Sequence, residues 1–280
     1  MVGCHPVDAL KVEVAAAARH RAEPYWRAFP DLISPSVGRV DALRRALGSV
    51  APRPATPRDY DGGVNERIAV PHRIIESGVV AIGRRIDSRS VVRIGEGLAA
   101  AGIGAFEITV GSPGALDAIA ALHARFGEPG DLIIGAGTVL TVDDAEAAIG
   151  AGATFVVMPV TDPAVVAWVA AKGIPAFPGA MTPTEALSGW MAGAAAIKLF
   201  PASVTGPTFI RELHGPFPEI PVIPTGGVTV DTAASLIVAG AVAVGIGGWL
   251  TGDGDPAGIA ERGRRVMRVI QAARQSGRVP

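Results

Sequence analysis

The sequence predicts an α/β fold: a single (β/α)₈ TIM barrel with an N-terminal extension. Three observations predict it. From Asn65 onward, short β-branched segments alternate with helical segments in eight units over about 200 residues. The phrases AAAGIGAFEI, IGAGATFVV, AAKGIPAF, MAGAAAIKL and IVAGAVAVG recur before successive strands, each a helix ending in Ala/Gly, a tight glycine turn and a strand. The chain also has 36 glycines and a mean hydropathy of +0.38, as apolar strands buried on both faces with glycine at their ends would produce.

The predicted strands fall at 79–83, 105–109, 132–135, 154–158, 175–178, 195–200, 222–224 and 243–245. The predicted helices fall at 66–76, 90–101, 114–126, 142–149, 163–171, 183–189, 207–213, 229–239 and 256–276, with alanine and leucine on one stripe, as in helices packed outside a parallel sheet. A doubly wound open sheet is the alternative, but it rarely has eight units so even in length. Closure also removes edge strands that this apolar pattern would otherwise leave exposed. Residues 1–65 read differently. Segments 6–31 and 39–48 have the pattern of short helices, and APRPATPRDYDGG at 51–63 has the composition of a linker. The expected division is therefore an extension with its Pro/Gly-rich linker at 1–65 and the barrel at 66–280.

A chain of 280 residues, 49% hydrophobic, supports one large core. A net charge of −1 gives no pull toward nucleic acid or an anionic membrane. The single cysteine, Cys4, excludes an internal disulfide framework and a multi-thiolate metal site. No apolar run reaches the length needed to span a bilayer, and no basic-then-apolar signal segment opens the chain, so a cytoplasmic location is expected.

In a barrel of this kind, chemistry sits at the C-terminal ends of the strands. Lys11, Lys172 and Lys198 are the only lysines in a chain rich in arginine. Lys198 stands inside the sixth predicted strand, in AAAIKLFPAS. One reading is an ammonium snorkelling to water at the bottom of the barrel. The other is catalytic: burial disfavours a charged amine, and a neutral amine attacks a carbonyl to form an iminium, an electron sink. Glu107 lies in the second predicted strand, in AFEITVGS. A structural ion pair with an arginine would explain it, as would a general acid/base shuttling protons for such an amine.

Thr138, in IIGAGTVLT after the third strand, is placed to hydrogen-bond a substrate carboxylate, while Thr141 caps the helix opened by Asp143 and Asp144. Its GAG lacks the third glycine of a dinucleotide fingerprint. Gly226 and Gly227 (PTGGVT) and Gly247 and Gly248 (GIGGWL) follow strands seven and eight, where backbone N–H groups backed by a short helix cradle phosphate; tight packing turns are the plainer explanation. Ser203 and Thr225 are expected to extend the cradle, with Thr225 pointing either to the mouth or to the core. Arg85 is the expected carboxylate clamp, with Arg84 beside it read as solvated surface. His72, His123 and His214 lie on predicted helices or their ends, and with no clustered acids at the strand ends no metal is expected.

Residues from about 75 to 275 resemble the 2-keto-3-deoxy-6-phosphogluconate / 4-hydroxy-2-oxoglutarate aldolase family. The resemblance rests on FEITV with Glu107, IIGAGTVL with Thr138, FVVMP with Pro159, FPGAMTPTEA, IKLFPAS with Lys198, IPTGGVT and the final GGW, in matching order and spacing. KLFPAS followed by GP and TGGV also looks like the phosphogalactonate-cleaving relatives. The resemblance implies a class I aldolase with Lys198 as the Schiff-base residue and Glu107 as the proton shuttle. It implies that Thr138 and Pro159 help hold the pyruvyl carboxylate and that the GGVT and GGW segments hold phosphate. It further implies a homotrimer, a small 2-oxo acid substrate and no cofactor. Two positions depart from the family pattern: Gly111 stands where members carry arginine, and Gly248 where many carry serine. Residues 1–65 have no counterpart in it.

The expected reaction is cleavage of 2-keto-3-deoxy-6-phosphogluconate, or its galactonate epimer, to pyruvate and glyceraldehyde 3-phosphate. The rival readings are a 4-hydroxy-2-oxoglutarate aldolase giving glyoxylate, a non-catalytic sugar-phosphate-binding barrel, and a phosphosugar isomerase. The last would need a base pair or metal beyond Glu107.

Overall fold

The computed structural model describes residues 67–84, 86, 90–127, 130–252 and 254–276. The predicted extension at 1–65 and Arg85 lie outside the described residues. Within them the chain runs α1 (His72–Ser77), β1 (Val79–Gly83), α2 (Val91–Ala100), β2 (Ala105–Thr109), α3 (Ala115–Phe126), β3 (Ile133–Gly137), α4 (Val142–Gly150), β4 (Phe155–Val157) and α5 (Pro163–Ala171). It continues with β5 (Ala176–Phe177), β6 (Gly179–Ala180), α6 (Pro183–Met191), β7 (Lys198–Leu199), α7 (Ala202–His214), α8 (Val230–Val238), β8 (Val244–Ile246), α9 (Gly248–Thr251) and α10 (Pro256–Ser276).

The architecture is α/β, with a curled parallel sheet in the order β5-β4-β3-β2-β1-β8 and a parallel pair β6-β7. The predicted strand at 175–178 is thus two pieces. Pro178 has no N–H to continue the ladder, and the residues on either side pair with different neighbours, β5 with β4 and β6 with β7. The predicted strand at 222–224 forms only single bridges, Ile197 with Val222 and Thr225 with Gly245, because Pro221 and Pro224 withhold donors. Backbone bonds still run across these segments: Lys198 N–H donates to Pro178 O (2.9 Å), Ile197 to Pro221 O (2.8 Å), Thr225 to Leu199 O (2.9 Å) and Gly245 to Pro224 O (2.9 Å). The predicted helix at 207–213 starts earlier, at Ala202, but breaks at Gly206 (φ 64°, ψ −177°) ahead of Pro207.

Alternation along the strands divides the core in two. Val80, Ala105, Phe155, Val157, Phe177 and Ile223 belong to a cluster on the concave face. Phe106, Ile108, Ile134 and Ile246 pack outward against the helices. Gly135 leaves the space that the Phe155 ring fills, and that ring meets Phe177 with centroids 5.7 Å apart. The final helix buries Ile259, Gly263, Val266, Ile270 and Ala273 on one stripe. It is tied down by Arg274, which donates to the carbonyls of Ile75, Glu76 and Val242.

The loops at the strand C-termini are shaped by helix caps. The Thr141 hydroxyl accepts from Asp144 N–H (3.1 Å), and Asp144 accepts in return from Thr141 N–H (3.1 Å). Thr182 and Glu185 repeat the motif before α6, and Asp162 caps α5 with Pro163 at its first position.

Candidate active site

Glu107 and Lys198 are carried by β2 and β7, far apart in sequence, and line one narrow cavity on the concave face with Val80, Val157, Phe177, Ile223 and Thr225. The cavity has room for about one water molecule. Glu107 is 2% exposed and Lys198 6%. Burial pushes the Glu107 carboxyl above its ordinary range, and the positive charges of Lys198 and Arg84 draw it only partly back. The Lys198 Nζ stands 5.3 Å from the centre of the Phe200 ring. Phe200 was not among the residues singled out in the sequence. Its position two residues beyond Lys198 was the available signal, since residues two apart on an extended chain share a face.

The register explains how Glu107 reaches the open end of the sheet. Glu107 is paired with Gly135 and Thr109 with Gly137. A Cβ at Gly137 would stand where the Glu107 carboxylate lies, so the missing side chain there is what admits the acid. The next residue, Thr138, is half-buried and has φ 61°. A β-branched residue in the left-handed region is strained, and such strain concentrates at functional sites. Pro159 is half-buried after β4. Gly179 lets β6 approach the Met158–Pro159 backbone closely, and the Thr161 hydroxyl donates to Gly179 O (2.9 Å).

The two glycine pairs are brought near each other through the Thr225–Gly245 bridge. Gly226 and Gly227 both have positive φ, 92° and 75°. Ser203 is held beside them: its N–H donates to Gly226 O (3.0 Å), and a Cβ on Gly227 would come within 2.8 Å of the Ser203 Cβ. Gly247 caps α9 and Gly248 begins it. The Thr225 side chain alternates in step with Ile223, lines the lysine cavity and donates to Ile223 O (3.2 Å). Arg84, read from the sequence as solvated surface, is exposed, yet its charge reaches Glu107. Among the described residues, no three His, Cys, Asp or Glu side chains gather as metal ligands, and no helix is long and apolar enough to cross a membrane.

A buried lysine and a buried acid thus share one cavity on the concave face of a curled parallel sheet. The family model for KDPG and KHG aldolase matches residues 70–257. The chain is 34% identical over 194 residues to the probable 2-dehydro-3-deoxy-6-phosphogalactonate aldolase of Rhizobium meliloti (strain 1021), an alignment covering 69% of this chain and 90% of that one. It is 36% identical over 187 residues to the 2-dehydro-3-deoxy-phosphogluconate aldolase of Pseudomonas aeruginosa, covering 66% of this chain and 80% of the relative. A solved structure described as native KDPGal superposes with a TM-score of 0.67 at 31% identity, covering 70% of this chain and 96% of that one. The chain belongs to the KDPG and KHG aldolase family, and it is an aldolase.

Proposed function

We propose that this aldolase cleaves 2-keto-3-deoxy-6-phosphogluconate, or its galactonate epimer, to pyruvate and glyceraldehyde 3-phosphate through a Schiff base on Lys198. The observation that carries this reading is the burial of one lysine and one carboxylic acid in the same small cavity, with the acid's pKa raised. The Lys198 amine adds to the C2 ketone, and the carbinolamine loses water to give the iminium. The C4 hydroxyl then gives its proton to Glu107 while the C3–C4 electron pair flows into the iminium. The aldehyde leaves, the enamine regains a proton at C3, and water releases pyruvate and the free amine. A carboxyl whose pKa is raised by burial holds the proton more readily than a solvated one, which suits a group that takes and returns it.

The substrate carboxylate is assigned to Thr138 and Pro159 with an arginine from the end of β1. Arg84 has the support of its electrostatic reach to Glu107, and Arg85, the residue expected from the sequence, is its neighbour in the chain. The phosphate is assigned to Ser203, Gly226, Gly227, Gly247 and Gly248. Thr225 is reassigned to the cavity wall. The backbone bonds across the β6–β7 pair and the single bridges support a closed eight-stranded ring. Exposed Leu140, Val160 and Met181, on the loops after β3, β4 and β6, support a self-associating enzyme, the homotrimer that the resemblance implies. Sedimentation equilibrium tests that state.

Borohydride reduction in saturating pyruvate tests the chemistry. A mass increase located on Lys198, and lost in Lys198→Ala, is the expected result; no adduct in the wild-type protein would favour a binding module. Cleavage rates for substrates with and without phosphate separate this reading from a 4-hydroxy-2-oxoglutarate aldolase.

A further inference from the structure

Glu107 and Thr109 occupy alternate positions of β2, so both side chains leave the same concave face, with Thr109 one step nearer the C-terminal end. Thr109 is 4% exposed, and its Oγ1 lies 3.0 Å from Ser112 Oγ, a hydrogen bond in which either hydroxyl can donate. Across the sheet its registered neighbour is Gly137, the residue against which the Glu107 carboxylate lies. Ser112 is preceded by exposed Gly111, where an added Cβ would meet nothing within 4 Å, so no side chain at that position covers the approach. The result is a buried hydroxyl on the same strand face as the acid, nearer the C-terminal end, that the Schiff-base cycle does not use. A threonine hydroxyl has one donor and two acceptor sites, so one bond to Ser112 leaves capacity for another partner.

We propose that Thr109 is a specificity-determining residue that hydrogen-bonds the substrate hydroxyl one carbon beyond the bond being cleaved. With Lys198 on C2 and Glu107 serving the C4 hydroxyl, the next oxygen outward is the C5 hydroxyl, which becomes the C2 hydroxyl of the aldehyde product. The assignment rests on the aldolase reading above and extends it to the aldehyde half of the substrate.

The test is condensation of pyruvate with glyceraldehyde 3-phosphate and with 3-phosphooxypropanal, which differs only in lacking that hydroxyl. Both are run on single preparations of the wild type, Thr109→Val and Thr109→Ser, so that any loss of folded protein lowers both rates alike. The wild type is expected to prefer the hydroxylated aldehyde by about tenfold in kcat/KM. Thr109→Val should erase that preference and Thr109→Ser retain most of it. An unchanged preference in Thr109→Val, or no preference in the wild type, overturns the assignment. Borohydride trapping of pyruvate on the same samples separates the two levels. Trapping with an unchanged preference sinks only the role of Thr109. A wild type that neither traps pyruvate nor condenses it sinks the aldolase reading and this proposal together.

Discussion

The Glu107 carboxylate occupies the volume that a Cβ on Gly137 would fill. The two residues sit on adjacent strands, two register positions apart, Gly137 being paired with Thr109 rather than with Glu107 itself. The acid therefore leans toward the open end of the sheet, and a glycine on the neighbouring strand is the condition for that tilt.

Replacing that glycine should move the acid. Gly137→Ala forces the Glu107 carboxylate aside or displaces β3, and a displacement of about 1 Å in a proton-transfer group costs on the order of 100-fold in rate. The expected result is a fall in kcat of that size with the pyruvate adduct on Lys198 still trappable. Steady-state kinetics with borohydride trapping on the same protein checks it, and loss of trapping in parallel with kcat would show that the lysine, not the acid, had been disturbed.

The raised pKa of Glu107 has a signed consequence for stability. Because the folded state holds the proton more tightly than the unfolded chain, the wild type loses stability as pH rises through the folded-state pKa. Below the ordinary carboxylate range both states are protonated and that penalty is absent. Glu107→Gln, which cannot ionise, should therefore gain in Tm relative to the wild type at pH 7 to 8, with the gain shrinking toward pH 4. The same substitution should abolish the limb of the kcat–pH profile that Glu107 sets. Thermal melts across pH check the first outcome, and a difference in Tm that grows on acidification would contradict it.

Gly248 opens α9, and a Cβ there meets nothing within 4 Å. Gly248→Ser should therefore fold with an unchanged Tm while adding a hydroxyl donor at the loop proposed to hold phosphate. The expected outcome is a several-fold lower KM for the phosphorylated substrate, the effect of about one hydrogen bond to a charged group, with no change for 4-hydroxy-2-oxoglutarate. Equal effects on both substrates would place the phosphate elsewhere.

Thr182 and Glu185 cap α6 reciprocally: Glu185 accepts from Met181 N–H, Thr182 N–H and the Thr182 hydroxyl. These bonds hold its carboxyl below the ordinary range, so their contribution is present above the unfolded pKa and is lost as pH falls through the folded one. Thr182→Ala should cost about 1 kcal/mol at pH 7 and less in acid. Denaturant unfolding at two pH values measures the difference.

The strand–helix rhythm was legible in the chain because buried strands and amphipathic helices must carry their burial patterns in their own residues. Seven of the eight predicted strand positions carry strand in the structure. The exception, at 222–224, follows Pro221 and ends in Pro224, so its apolar run is right for burial but two of its ladder donors are missing. Lys198 and Glu107 stood out for the same local reason: each is a charge inside an apolar strand. Other features were not local. Whether Thr225 faces the cavity or the glycine loops depends on which residue of its segment bridges β8. The electrostatic reach of Arg84 to Glu107 depends on how β1 lies against β2. The need for Gly137 to be glycine exists only once a neighbouring strand places an acid against it. What a residue is, and how often its kind recurs, is written along the chain; which atoms share a cavity is set by register and curl, because those bring together residues that no spacing rule connects.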